Sequence, residues 1–596
     1  MLFRFELFLM SAAIVLRLLI SGSTAGAGLN MVVGLMAWMA LLLDFARKQN
    51  PSAEPPKAQG IPRIILALPL VFACLIVSGF FLASYKFGAL PYGFAWITDI
   101  VLFYLVVRLN RPYLFLGVFA GTAALIACYG LYQHLWGLEA LRQAIGQDAH
   151  LLDFIPPELR NNFLSRLNAN EPFATFTYQN SLGGFLVLAI PIVMGLLSAK
   201  PFPRFGAVVN IAKVIIIGLM VWALWATGAR GAWVAAVSAA VLFAALKAWP
   251  GLGRAARMAI VAVSVAGMVL AGLVFVYILT ARQVPDSLNN VSPSLSIRYG
   301  YWRGVAEIIR HHPLGVGLNQ FADNYLRYRA TGAGVTQKAH NDFLQIGAET
   351  GVLGLMVFAA FFGAVLAAGL RRVISRPDGT ADRIMLIGLI SGLGGLLLHS
   401  MVDFNFYVPG LSMSAWLAAG CLVSLSYRGT ESAGARAIDG RFARPAATIA
   451  LLAVILFLSW LVCPRLLESE SLLEQGRWLV RTQSGSADSI EKGRADLEQS
   501  RRLNPYSVEP CLELSWFYHR TVCAGKPDEF ICINLLDRAI ALSRLSSNLY
   551  VYQSVFFREH AEMFKSAGAT DKAGVMLRQS ELFFKKAAEL NPQSGN

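Results

Sequence analysis

The stretch Lys338-Ala-His-Asn-Asp-Phe-Leu-Gln345 puts an imidazole two residues ahead of a predicted helix start, at the edge of a long apolar run. Asn341 and Asp342 are both good N-cap residues. Gln345, three residues after Asp342, completes an approximate capping-box pattern. Partial positive charge at a helix N-terminus disfavours imidazolium, so His340 is biased toward its neutral, base-competent form. A second acid–base pair stands in His399-Ser-Met-Val-Asp-Phe404. Its i,i+4 spacing predicts that His399 and Asp403 share one helix face near a span end. Ionisable groups at that depth are costly unless paired or used, so this pair is either orienting or catalytic.

Two arginine segments point to anion chemistry. Arg230 sits in Ala226-Thr-Gly-Ala-Arg-Gly-Ala-Trp233, a short connection whose glycines let a ligand approach the backbone. Arg298 and Arg303 lie in Ser296-Ile-Arg-Tyr-Gly-Tyr-Trp-Arg303, the start of a predicted amphipathic helix that runs to Arg310. Guanidinium groups hold phosphate oxygens bidentately and stay charged, which suits an anionic headgroup at a membrane surface. Snorkelling at the interface is the competing use of arginine there. His311-His312-Pro313 reads as a helix terminus. No Asp-x-Asp, Walker A loop, Gly-x-Gly-x-x-Gly or Gly-x-Ser-x-Gly occurs, so neither a metal site nor a cofactor is expected.

What must position these residues is a membrane domain. The chain has 596 residues, 56% of them hydrophobic, with mean hydropathy +0.54. About thirteen apolar runs, each long enough to span a bilayer, recur from near 5–22 to near 446–463. The first is expected to be a retained span rather than a signal peptide. The net charge of +15 does not point to nucleic acid, because the basic residues collect in alternate short loops. Arg108 with Arg111, Lys247 with Arg254 and Arg257, and Arg371 with Arg372 and Arg383 are examples. That is the positive-inside pattern, and it predicts a cytoplasmic N-terminus and a C-terminal tail outside. Two long loops, about 136–178 and about 281–345, fall on the outer side. The spacing of the seven cysteines matches no metal site; a disulfide among Cys463, Cys511, Cys523 and Cys532 stays open.

The predicted fold is therefore all-α: a polytopic transmembrane bundle over 1–463 and a soluble extracytoplasmic helical domain over 464–596. In the second part, Arg502-Leu-Asn-Pro505 and Glu589-Leu-Asn-Pro592 end amphipathic helices and resemble tetratricopeptide repeats at irregular spacing. Such a stack either presents a concave binding surface or caps and stabilises the protein.

Taken in order, several motifs resemble the O-antigen ligase and O-antigen polymerase superfamily. They are Arg230, Arg298 with Tyr301-Trp302, His312-Pro-Leu-Gly-Val-Gly-Leu-Asn-Gln-Phe321 and His340-Asn-Asp-Phe-Leu344. Glu349-Thr-Gly-Val-Leu-Gly354, His399-Ser-Met-Val-Asp-Phe404 and Phe173-Ala-Thr-Phe-Thr-Tyr-Gln-Asn180 extend the likeness over roughly 60–425. The resemblance implies glycosyl transfer at the outer face of a bacterial inner membrane. Its donor is a glycan linked through diphosphate to undecaprenol, with no metal or other cofactor. Arg230 and Arg298 would hold the diphosphate, and His340 would deprotonate or position the acceptor hydroxyl. Arg303, Trp302, Asn180, Glu349, His399 and Asp403 would be substrate-binding candidates. The acceptor stays open among a growing glycan, a lipid A core and a protein, the last making the chain a protein O-oligosaccharyltransferase. The repeat domain would bind either a polysaccharide chain or a partner such as a chain-length regulator, a choice the sequence leaves open. Outside the enzyme class, the alternatives are a lipid-linked glycan transporter and a membrane scaffold.

Overall fold

The computed structural model describes residues 2–20, 27–47, 60–148, 151–152, 157–199, 206–259, 293–330, 333–375, 380–428, 452–481, 487–523, 529–566 and 568–592. Every regular element among them is helical. Ten helices are long and apolar enough to cross a membrane: Ala27–Arg47, Arg63–Leu82, Lys86–Leu109, Pro112–Gln147, Gln179–Ser198, Arg230–Gly251, Asp342–Ser375, Ala381–His399, Pro409–Ser426 and Leu452–Arg481. The chain is an all-α polytopic membrane protein. Two further expected spans are helices outside these ten: Asn210–Ala226 is shorter, and Leu2–Leu19 carries Arg4, Glu6 and Arg17. The run near 258–280 lies almost wholly outside the described residues.

Charges do not expel Leu2–Leu19 from the bundle, because each buried one is met. Arg47 Nε donates to Glu6 at 3.1 Å and Arg47 Nη2 to Asp44 at 2.9 Å, while Arg108 pairs with Asp44. Near the other end, Arg17 donates to Asn30. Buried charge is tolerated in a helical bundle when a partner satisfies it.

Lipid is as apolar as leucine, so helices associate by close packing. Ala381–His399 lies against Gln179–Ala199 at Gly392, where a Cβ would stand 2.5 Å from the Leu188 carbonyl oxygen. An aromatic core joins Lys86–Leu109, Asp342–Ser375 and Pro409–Ser426. In it Phe361 stacks on Trp416 at 4.7 Å, and Phe358 meets Phe406 edge-on at 4.9 Å.

The long helix Asp342–Ser375 is broken at Gly351, which takes φ 80° and ψ 173°. A break leaves backbone groups without helical partners, and in a membrane bundle the protein itself must supply them. Pro313–Gly317 does so. Val316 N donates to Ala348 O at 2.9 Å, Gly317 N to Glu349 O at 3.1 Å, and Val352 N to Pro313 O at 3.0 Å. The loops expected to be long contain helices of their own: Leu138–Gln147 and Pro157–Ala169 in one, Pro293–His311 and Phe321–Tyr328 in the other.

The C-terminal part is a series of helical hairpins. Cys463–Arg481 packs on Ala487–Leu503, Glu509–Cys523 on Glu529–Leu542, and Ser547–Ser566 on Thr570–Leu590. Helices end at Leu503 and Leu590, where Asn504 N and Asn591 N close the last turns at 3.0 and 2.8 Å. The boundary expected at 463/464 falls inside one continuous helical run, Leu452–Arg481. Cys463, Cys511 and Cys532 are buried, and Cys532 Sγ donates to Ser515 O.

Candidate functional site

Construction of the site starts at the helix N-terminus read from sequence. Of the two candidate caps, Asn341 is used: its Oδ1 accepts Leu344 N at 3.0 Å. Gln345 does not close a box with Asp342. Its Oε1 instead accepts Ala339 N at 2.9 Å. Asp342 turns away, and both its carboxylate oxygens accept Phe406 N at 3.2 Å. These bonds leave His340 at φ 50°, in the left-handed region. That conformation is unfavourable for a residue with a Cβ and persists only where neighbours fix it. They do: Trp302 Nε1 donates to Ala339 O at 3.1 Å, Asn341 Nδ2 to Met401 O at 2.8 Å, and Asp342 N to Ser400 O at 2.8 Å.

The expectation that His399 and Asp403 share a helix face is corrected. The helix ends at His399, and Met401 N and Val402 N bond back to Leu398 O and His399 O in a tight turn. This turn carries Asp403 out of helical register and beside His340. His340 Nδ1 lies 3.6 Å from Asp403 Oδ1. On the other carboxylate oxygen, Arg298 Nη2 approaches to 3.9 Å, while Arg298 Nη1 donates to Val402 O at 2.5 Å. Asp403 is only 4% exposed, against 27% for His340 and 18% for Arg298. Burial by itself would raise the Asp403 carboxyl. The nearby His340 ring and the His399 and Arg298 side chains outweigh it and hold the group at about 2.

The remaining predicted residues surround this centre at different depths. Arg230 is exposed at the first position of Arg230–Ala248. Its neighbour Gly231 abuts the His399 turn, where a Cβ would lie 3.2 Å from Val402 Cγ2 and 3.5 Å from His399 Cδ2. Asn180 is half-buried, one turn before Gly184. A Cβ at Gly184 would stand 2.8 Å from His399 Nδ1. His399 is buried, with Nδ1 3.1 Å from Asn405 Oδ1. Arg303 is half-buried on Pro293–His311. Trp302 and Glu349 face inward. Glu349 is fully buried, accepting from Tyr407 Oη at 3.1 Å and Gln345 Nε2 at 3.2 Å.

Several contributors were not singled out from sequence. Phe404 meets the His340 ring edge-on at 5.0 Å, and Tyr301 lies over it at 6.1 Å. Lys338 places its ammonium 4.4 Å from the Tyr92 ring and 4.8 Å from the Tyr407 ring, with Asn319 Oδ1 at 3.4 Å. A cation two residues from the key histidine and an aromatic adjacent to the key acid were visible signals. Nothing in local spacing tells which of them converge.

An acid held charged beside a histidine, with the Arg298 guanidinium on the same turn between two helices of the bundle, marks the candidate site of an integral membrane protein. Residues 215–359 match the family model described as O-Antigen ligase. This region contains Arg230, Arg298, His340 and Glu349, and its match supports the resemblance to the O-antigen ligase and polymerase superfamily. The match supports a ligase- or polymerase-like membrane glycosyltransferase activity. No curated protein matches the chain.

Proposed function

We propose that this protein transfers a glycan from undecaprenyl diphosphate to an acceptor hydroxyl at the extracytoplasmic face of a bacterial inner membrane. The observation that carries the reading is the convergence of His340 and Arg298 on Asp403, with the Arg230 turn packed against the same His399–Asp403 segment. A proton on His340 Nδ1 directed at Asp403 leaves Nε2 as the acceptor, so the acid fixes the tautomer a general base needs. The acceptor hydroxyl loses its proton to Nε2, and its oxygen bonds to the anomeric carbon. The bond from that carbon to the phosphate oxygen breaks, and undecaprenyl diphosphate leaves with the electron pair. Arg230 and Arg298 neutralise charge growing on that leaving group. Asn180 and Arg303 line the approach, while Trp302, Glu349 and His399 act through the shape of the turns they hold.

The test uses purified full-length protein in lipid nanodiscs with an undecaprenyl-diphosphate oligosaccharide. Release of undecaprenyl diphosphate with glycan lengthening would establish a polymerase. Release only when a lipid A core or a protein is added would establish a ligase or a protein transferase. Failure with every acceptor, in a preparation shown to be folded, would overturn the proposal.

A further inference from the structure

The C-terminal helical domain touches the membrane domain at places that lead to the His340 loop. Thr570–Leu590, in the third hairpin, packs against the short helix Phe321–Tyr328. Tyr85 Oη accepts Val508 N at 3.2 Å and also lies 3.4 Å from Glu509 Oε2. On its backbone side, Tyr85 N donates to Gln320 Oε1 at 3.2 Å, and Ser84 Oγ donates to the same oxygen. Gln320 is the residue immediately before Phe321–Tyr328, so this helix is gripped at its start through Tyr85 and packed by Thr570–Leu590.

The same helix carries Tyr325, which is wholly buried. Its ring meets Tyr301 edge-on at 5.9 Å, and its hydroxyl donates to Gly334 O at 3.0 Å in the segment leading to His340. Tyr301 in turn lies over the His340 ring at 6.1 Å. A Cβ at Gly304, one turn from Tyr301, would come within 2.5 Å of the Tyr325 ring, so the two helices lie too close to slide freely. Phe321–Tyr328 has only eight residues, and an isolated helix of that length is unstable in water. Its position therefore depends on what packs on it.

We infer that the C-terminal domain works as a positioning element for the glycosyl-transfer site, holding Phe321–Tyr328 through Tyr85 and Thr570–Leu590 so that Tyr325 and Tyr301 fix the His340 ring. This rests on the proposed reading of His340 as the base. Tyr85, Gln320 and Tyr325 are positioning residues, since none of them touches the reacting atoms. A domain serving only as a docking module for other proteins would have no need of this path.

Amide hydrogen exchange on full-length protein in nanodiscs, without substrate, tests the path independently of turnover. Tyr85→Phe, which loses the acceptor for Val508 N, and Gln320→Ala should raise exchange over 333–341 about tenfold, an opening made easier by roughly 1.4 kcal/mol. Gln320→Glu, which keeps an acceptor for Ser84 Oγ and Tyr85 N, should restore protection. Trp516→Ala, on the face of the domain where Arg481 and Arg520 stack, should leave this segment unchanged. In the turnover assay, Gln320→Ala should lower kcat about tenfold with KM within twofold, and Gln320→Glu should recover it. Unchanged exchange over 333–341 in both Tyr85→Phe and Gln320→Ala would overturn the inference. Faster exchange in these variants, with a wild type that transfers no glycan, would instead leave the path standing and sink the proposed function.

Discussion

His340 Nδ1 and Asp403 Oδ1 stand 3.6 Å apart although 63 residues separate them, and each is set by a different irregularity in the backbone. His340 occupies a left-handed position just ahead of one helix, and Asp403 follows the turn that ends another. Their meeting explains why an acid can stay charged when almost wholly buried.

Asp403→Asn should keep the shape of the turn and lose the charge. Asparagine still accepts Phe404 N but no longer favours a proton on His340 Nδ1. Turnover should fall on the order of 10³-fold, within the range general-base catalysis supplies. The sign of the pH effect is set by the depressed carboxyl. Its ionisation contributes stability above the unfolded value of about 3.9 and loses it as pH falls through about 2. Asp403 therefore contributes no slope in stability between about pH 5 and 8. An Asn variant that is folded and fully active would remove Asp403 from the mechanism.

Asp323 predicts the opposite slope. Burial raises its carboxyl to about 6. The stability associated with its protonated form is complete below about pH 4 and lost as pH rises through about 6. Asp323→Asn should flatten the change in melting temperature between about pH 4 and 7 and raise the value at the upper end. Identical pH profiles for wild type and variant would contradict this.

Gly351→Ala tests the helix break. An alanine at φ 80° is strained, and its Cβ would lie 2.6 Å from the Pro313 carbonyl oxygen. A loss of about 2–4 kcal/mol is expected, because strain and steric conflict add. Thermal unfolding in detergent would measure it, and a neutral result would mean that Pro313–Gly317 does not dock as described.

Much of this was legible in the sequence, and the failures have definite causes. Apolar runs marked the spans because crossing lipid demands length and hydrophobicity, which composition records directly. Leu2–Leu19 is less plain, since its buried charges are met by Arg47 and Asn30 on the next helix. His340 stood out because a cap follows it. Which residue caps was not legible: Asn341 and Asp342 have similar propensity, and Asp342 is drawn off by Phe406 N, sixty-four residues away. The i,i+4 spacing of His399 and Asp403 implied a continuous helix. Helical periodicity says nothing of a turn fixed from outside, and here Asn341 and Asp342 bond the carbonyls of Met401 and Ser400.

Arg230 and Arg298 separate a binding role from a structural one. Arg298 is mostly buried and anchors the Val402 turn, so Arg298→Ala removes a charge-assisted bond and leaves Asp403 less well met. It should destabilise the fold by about 1–3 kcal/mol as well as abolish turnover. Arg298→Lys should recover part of the stability but little activity, because one ammonium cannot reach both Val402 O and a phosphate oxygen. Arg230 is exposed at its helix start, and Arg230→Ala should change stability by less than about 0.5 kcal/mol. Its turnover should nevertheless fall at least 100-fold, about 2.7 kcal/mol of lost leaving-group stabilisation. Unfolding curves and single-turnover release of undecaprenyl diphosphate, measured on the same preparations, make the comparison. An Arg230→Ala protein as active as wild type would leave Arg298 as the only guanidinium on the diphosphate and would reduce Arg230 to an interfacial charge.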